Sequence, residues 1–143
     1  MGRIALSLGA GLLAGLACTS AFAQERVAAA GAEVYLIAPQ NGATIHGPVI
    51  VRFGLKGMGV APAGVKFDNT GHHHLLVDTD VGEINTAAPL PMTDKILHFG
   101  KGQTETTLTL APGKHTLELL FADYQHVSFE PALHSKKITI TVN

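Results

Sequence analysis

Three consecutive histidines, His72-His73-His74, follow Gly71 and run straight into Leu75-Leu76-Val77-Asp78. In an extended strand alternate side chains share a face, so His72 and His74 point one way while His73 joins Leu75 and Val77 on the other. Imidazoles two residues apart have Cα atoms roughly 6.5 Å apart, because a strand rises about 3.3 Å per residue. Both rings can then reach one ion at about 2.0–2.1 Å. Such a pair is half of a metal site, and the other donors have to come from elsewhere in the chain. His98, in Leu97-His98-Phe99-Gly100-Lys101-Gly102, and His126, in Asp123-Tyr124-Gln125-His126, are the candidates. The expected ligand set is therefore His72, His74, His98 and His126. Asp78 and Asp123 are expected behind them, since ligating imidazoles usually donate their second N–H to an acceptor.

The other four of the 8 histidines read differently. His73 points inward with the apolar face. His115 follows the turn Ala111-Pro112-Gly113 and shares the face of Leu117 and Leu119, which suits a buried corner hydrogen bond. His46 and His134 stand beside turn or polar residues, as surface histidines do. Imidazole with carboxylate and no thiolate suits copper or zinc, with nickel behind them. Met58 and Met92 read as loop or gap-filling residues rather than ligands. Only neutral imidazole ligates, so binding is expected to weaken as the pH falls through about 6.5. The competing reading is a triplet that is simply the polar edge of a half-buried strand, its rings bonded to backbone carbonyls.

The elements that must position these rings read as short strands. Val34 to Ile37 closes on Pro39-Gln40-Asn41-Gly42, a turn cluster. Val49, Val51, Phe53 and Leu55 alternate with Ile50, Arg52 and Gly54, the period of a half-buried strand. His72 to Thr79 is a further strand, and Gly82 to Thr93 is a longer irregular stretch. Leu108 and Leu110 end another strand, Leu117, Leu119 and Phe121 share one face of the next, and Ile138, Ile140 and Val142 alternate with Thr139 and Thr141. Short strands with Gly- and Pro-rich turns, and no helical period, indicate an all-β fold, an immunoglobulin-like β-sandwich.

Ahead of that domain, Met1-Gly2-Arg3 begins an apolar run, Ile4 to Ala17, that ends near Ala21-Phe22-Ala23. This is the layout of a cleaved secretory signal peptide, with the cut expected after residue 23, a linker over 24–32 and the sandwich over 33–143. The run is shorter than the roughly 20 apolar residues of a membrane span, so no transmembrane segment is expected in the mature chain. Cys18 offers a lipid-anchored alternative, although Gly15 stands where such sites carry a branched apolar residue. Cleavage removes Cys18, the one cysteine, and leaves a thiol-free chain suited to the periplasm or the extracellular space. The whole chain has 10 Lys plus Arg against 11 Asp plus Glu, which gives it no basic face for nucleic acid.

Four ordered motifs carry a resemblance: Gly71-His-His-His-Leu-Leu-Val-Asp78, His98-Phe-Gly-Lys-Gly-Gln-Thr-Glu105, Leu110-Ala-Pro-Gly-Lys-His-Thr-Leu117 and Phe121-Ala-Asp-Tyr-Gln-His126. Together they resemble a family of small secreted bacterial proteins catalogued as a domain of unknown function, with the signature Gly-His-His-His-Leu-Leu-Val/Ile-Asp. Members often carry Pro-His after the valine that follows the last of these histidines; Ser128-Phe129 stand there instead, so no ligand is expected from position 129. The resemblance implies one secreted domain and no particular reaction. The sequence holds no G-x-S-x-G elbow, no H-E-x-x-H pair and no phosphate-binding glycine loop. The expectation is a binding protein holding copper or zinc, not an enzyme. An accessory domain for an unknown protein partner is the alternative, and a copper-dependent redox enzyme stands behind both.

Overall fold

The computed structural model describes residues 26–143, and the leader read at 1–23 lies outside them. Among the described residues the strands are β1 (Glu33–Ala38), β2 (Thr44–Ile45), β3 (Val49–Lys56), β4 (Gly59–Val60), β5 (Thr70–Val77), β6 (Ile96–His98), β7 (Glu105–Leu108), β8 (Gly113–Ala122) and β9 (Ile138–Val142). One turn of 3-10 helix occupies Val81–Glu83. Alternation decides which faces meet. In β3 the side chains of Val49, Val51 and Phe53 are buried while Ile50 and Arg52 are exposed, and in β9 Ile138, Ile140 and Val142 point inward.

Two sheets result, one ordered β1-β3-β7, the other β2-β9-β8-β5 with β4 and β6 both paired to β5. Their inner faces enclose one core, in which Val34, Val51 and Phe53 of the first sheet meet Leu75, Leu119 and Ile140 of the second. The fold is the expected all-β, immunoglobulin-like sandwich. Its strands differ from the sequence reading in places. The strand read toward Leu110 is Glu105–Leu108, and Ile96–His98, read only as part of a glycine-rich segment, is a strand.

The second sheet is covered on both faces along β5 and the later half of β8. Seven of the eight residues of β5 are buried, all but Thr70. Outside that sheet a smaller core gathers Leu76, Leu90, Leu120 and Ala122 with Val81, Ile84 and Ala132. Burying a leucine side chain contributes about 1.5–3 kcal/mol, which holds the segments carrying residues 81–90 and 132 against the outer face. His72 and His74 belong to the same outer face as Leu76 and are fully buried beneath that cover. Alternation sets which face each ring takes; the burial of the outer face depends on segments distant in sequence.

Candidate metal centre

Strand β5 sends His72 and His74 out of one face with ring centroids 4.9 Å apart. β6 runs antiparallel beside it with His98 directly opposite His74. The flanking pairs carry the ladder, with Phe99 N–H donating to the His73 carbonyl at 3.0 Å and Val77 N–H to the Lys95 carbonyl at 2.8 Å. His74 and His98 are thus a non-hydrogen-bonded pair, in which Cα atoms come to about 4.5 Å and side chains lie closest. Their rings are 5.1 Å apart. A sequence signal for this existed in Ile96-Leu97-His98-Phe99, a short apolar run ending in glycine, but four residues are too few to name a strand from periodicity.

His126 arrives from the other edge. Across β5 from His72, β8 presents the small side chain of Ala122, which leaves that face open. The chain then turns at Asp123, whose carboxylate accepts the N–H groups of Gln125 at 2.8 Å and Val127 at 3.0 Å. His126 donates its own N–H to the Asp123 carbonyl at 3.0 Å and sits at φ 66°, a left-handed conformation in which histidine is enriched. Its carbonyl accepts Leu90 N–H at 2.8 Å, tying the turn to the outer cover. The His126 ring lies 5.0 Å from His72, 4.8 Å from His98 and 6.2 Å from His74.

All four expected histidines therefore meet. One ring nitrogen from each of His72, His98 and His126 falls within a set no more than 4.8 Å across. An ion with bonds of about 2.0–2.1 Å has donors roughly 3.4 Å apart, so small ring adjustments suffice. His72 and His74 form a buried floor, and His98 and His126, both partly exposed, form the lip. Both ring nitrogens of His72 and of His74, and Nε2 of His98, are buried without a hydrogen-bond partner. Each such atom costs about 1–3 kcal/mol. Burial, reinforced by His98, His126 and His73, lowers the His72 pKa to about 4. Burial also takes His74 to about 3, with the neighbouring imidazoles adding to it. His98 is lowered as well, by burial and then by His126. At neutral pH these three rings are uncharged, the form that ligates.

Gly100 makes room for the His98 ring. A Cβ there would stand 2.2 Å from Cε1 and 2.4 Å from Nε2 of His98. Gly100→Ala is expected to displace the His98 ring at a cost of about 1–3 kcal/mol. The His98 ring resonances in a histidine-selective NMR spectrum check this, and unchanged shifts would count against it.

The carboxylates expected behind the ligands are engaged elsewhere. Asp78 accepts from His115 Nδ1 at 2.7 Å and from Thr116 N–H at 2.9 Å. Asp123 organises its own turn, and Arg26 stands 3.9 Å from it. Neither is bonded to one of the four clustered rings: Asp78 is spent on His115 and Thr116, and Asp123 on its own turn. His115 makes the corner hydrogen bond expected of it. Its Nε2 faces the Ala111 carbonyl at 2.8 Å, so both ring nitrogens meet acceptors and the doubly protonated ring fits best. Its pKa is raised, first by Asp78 and then by that carbonyl.

His134 is exposed, as its sequence context suggested, but it is not unpartnered. Its Nδ1 lies 2.8 Å from the carboxylate of Glu118, which is only 4% exposed. His73 points inward as expected, its ring 5.2 Å from Phe53 and 5.0 Å from Phe121. A groove of about 490 Å³ bordered by Arg26, Phe67, Asp123 and Tyr124 contains none of the four histidines.

The domain of unknown function DUF4399 matches residues 51–143, which include all four histidines. The chain belongs to that family. No curated protein matches this DUF4399 chain. Among solved structures it is similar to an endo-β-1,4-mannanase from Thermotoga petrophila, at 18% identity and a TM-score of 0.45 over 78% of the chain. The match spans a fifth of the mannanase, 20% of its length. It is also similar to fibronectin(III)-like modules of Clostridium thermocellum CbhA, at 13% identity and a TM-score of 0.38, covering 76% of this chain and 92% of that one. No helix among the described residues is long and apolar enough to cross a membrane.

Proposed function

We propose that this DUF4399 chain is a small secreted or periplasmic binding protein that holds a divalent transition metal, copper or zinc, at the cluster of His72, His74, His98 and His126. The observation that carries the reading is the set of buried, unpartnered imidazole nitrogens on β5 and β6, with the His126 ring of a third segment turned into the same cluster. His73 supplies the contrast. It too is buried without a partner, but it packs singly between phenylalanines on the opposite face of the strand, away from the cluster. On the outer face the ring centroids of His72, His74 and His98 lie about 5 Å apart with their buried nitrogens unpartnered, an arrangement a cation relieves and an apolar side chain would fill better. An all-nitrogen donor set without thiolate favours copper(II) and zinc.

Calorimetric titration of the purified domain with Cu²⁺ and Zn²⁺ tests the reading. One ion per chain is expected, and at a hundredfold excess over Kd the fold gains about 2.7 kcal/mol. His98 and His126 lie at the lip, so a His98→Ala, His126→Ala double variant folds and should lose both effects. Equal binding by the wild type and that variant overturns the proposal. It would leave the accessory-domain reading, in which the histidines serve only the fold.

A further inference from the structure

The four rings are not equivalent, and their differences go beyond the metal reading on which this inference rests. The nitrogens that come within 4.8 Å of one another belong to His72, His98 and His126, and His74 is outside that set. The widest gap in the cluster, 6.2 Å, separates His74 from His126. Neither partner is free to close it. His74 is held between β8 and β6, opposite Leu120 on one side and His98 on the other. The backbone of His126 is pinned by Asp123 within its turn and by Leu90 N–H outside it.

Charge points the same way. An imidazole brings no charge to an ion that it ligates, and the two acids expected behind the rings, Asp78 and Asp123, are already bonded to His115 and to backbone N–H groups. A divalent ion at this site would keep its full charge in a partly buried setting, which favours an anionic ligand from outside the protein. His74 still has two buried nitrogens without partners, one of which carries a proton in the neutral ring. Three protein ligands with one position left open is the arrangement of metal sites that take an exogenous ligand, whereas closed sites use four.

We propose that His72, His98 and His126 ligate the ion while His74 stands off as a hydrogen-bond donor to a small monodentate anion or hydroxide bound in the open coordination position. The site is then a receptor for such an anion on its metal, and His74 is a positioning residue rather than a ligand.

Cobalt(II) loading of the full domain, followed by azide titration, reads the open position through the visible absorption bands. Azide is expected to shift them at a 1:1 ratio with the ion. His74→Leu places an apolar side chain beside Leu76 and Leu120 and is expected to fold with a raised Tm. It should cost no more than about tenfold in metal affinity, the low end for an outer-layer partner. Azide affinity should fall by more than tenfold in that variant and recover partly in His74→Gln, which restores an N–H donor. His98→Ala, by contrast, removes a ligand and should weaken the metal by about a hundredfold or more. Cobalt bands indifferent to azide, or a His74→Leu loss as large as that of His98→Ala, would overturn the three-plus-one assignment while leaving the metal site standing. A wild type that binds no metal would overturn both.

Discussion

The metal-free domain is expected to unfold on acidification between about pH 6.5 and 4, with the loss starting before its carboxylates are protonated. In the folded state burial lowers His72 and His73 to about 4 and His74 to about 3. In the unfolded chain the same rings titrate near 6.5. Between those values the unfolded state binds more protons, so stability falls as the pH falls. Three protons taken up on unfolding correspond to a slope of about 4 kcal/mol per pH unit at its steepest, from about 1.4 kcal/mol per proton. Small domains have about 5–15 kcal/mol in hand, so a drop of one to two pH units exhausts much of it.

Two other groups titrate outside that window. His115 has a raised pKa, so its contribution is complete below 6.5 and is lost only as the pH rises through its folded value. Asp78 is pulled upward by burial, but the hydrogen bonds from His115 and Thr116 outweigh this, and its pKa is lowered. Its contribution persists above the usual carboxylate value and fades only below it. Thermal melts from pH 7.5 to 4, with and without Zn²⁺, check the prediction. The ion should move the loss to lower pH, since it competes with protons for the same nitrogens. A Tm that stays level from pH 7 to 5 in the metal-free protein would show that these rings are not held neutral by the fold.

Gly71→Ala is expected to be the most damaging single substitution near the site. Gly71 opens the histidine run, and a Cβ there would lie 2.3 Å from the Ala122 carbonyl oxygen and 2.7 Å from the edge of the Phe121 ring. The first contact is with backbone in the paired strand β8, so no rotamer change relieves it. Either β5 and β8 separate at that end, breaking the register that sets His72 opposite Ala122, or the chain does not fold. A loss of about 3 kcal/mol or more is expected, the range of severe overpacking. For a domain near 100 residues each kcal/mol lowers Tm by about 4–8 °C. Equilibrium denaturation measures the loss. A change below about 1 kcal/mol would mean that the strands are not so tightly apposed.

Much of the site was legible before the fold was known. Strand periodicity placed His72 and His74 on one face and His73 on the other, because a period of two allows no other arrangement once the strand is named. The same argument found the inward faces of β3, β8 and β9. It did not find β6, which is too short to show a period, and so the pairing of His98 with His74 was invisible. Asp78 and Asp123 were misread for a related reason. An acid near a histidine in sequence is a plausible partner for it, but what a carboxylate bonds depends on which backbone N–H groups its turn exposes.

The sequence by itself determined an all-β sandwich, a histidine pair on one strand face and the four rings worth watching, all of which follow from local rules of period, turn and residue chemistry. Only the tertiary structure decided that the outer face of β5 is buried, that His98 and His126 come to it from opposite sides, and that His134 holds Glu118. Those outcomes depend on contacts between segments tens of residues apart, where the burial of Leu76, Leu90 and Leu120 draws the cover onto the sheet. The same burial keeps the rings uncharged and their nitrogens away from water, which makes a run of histidines a candidate metal site.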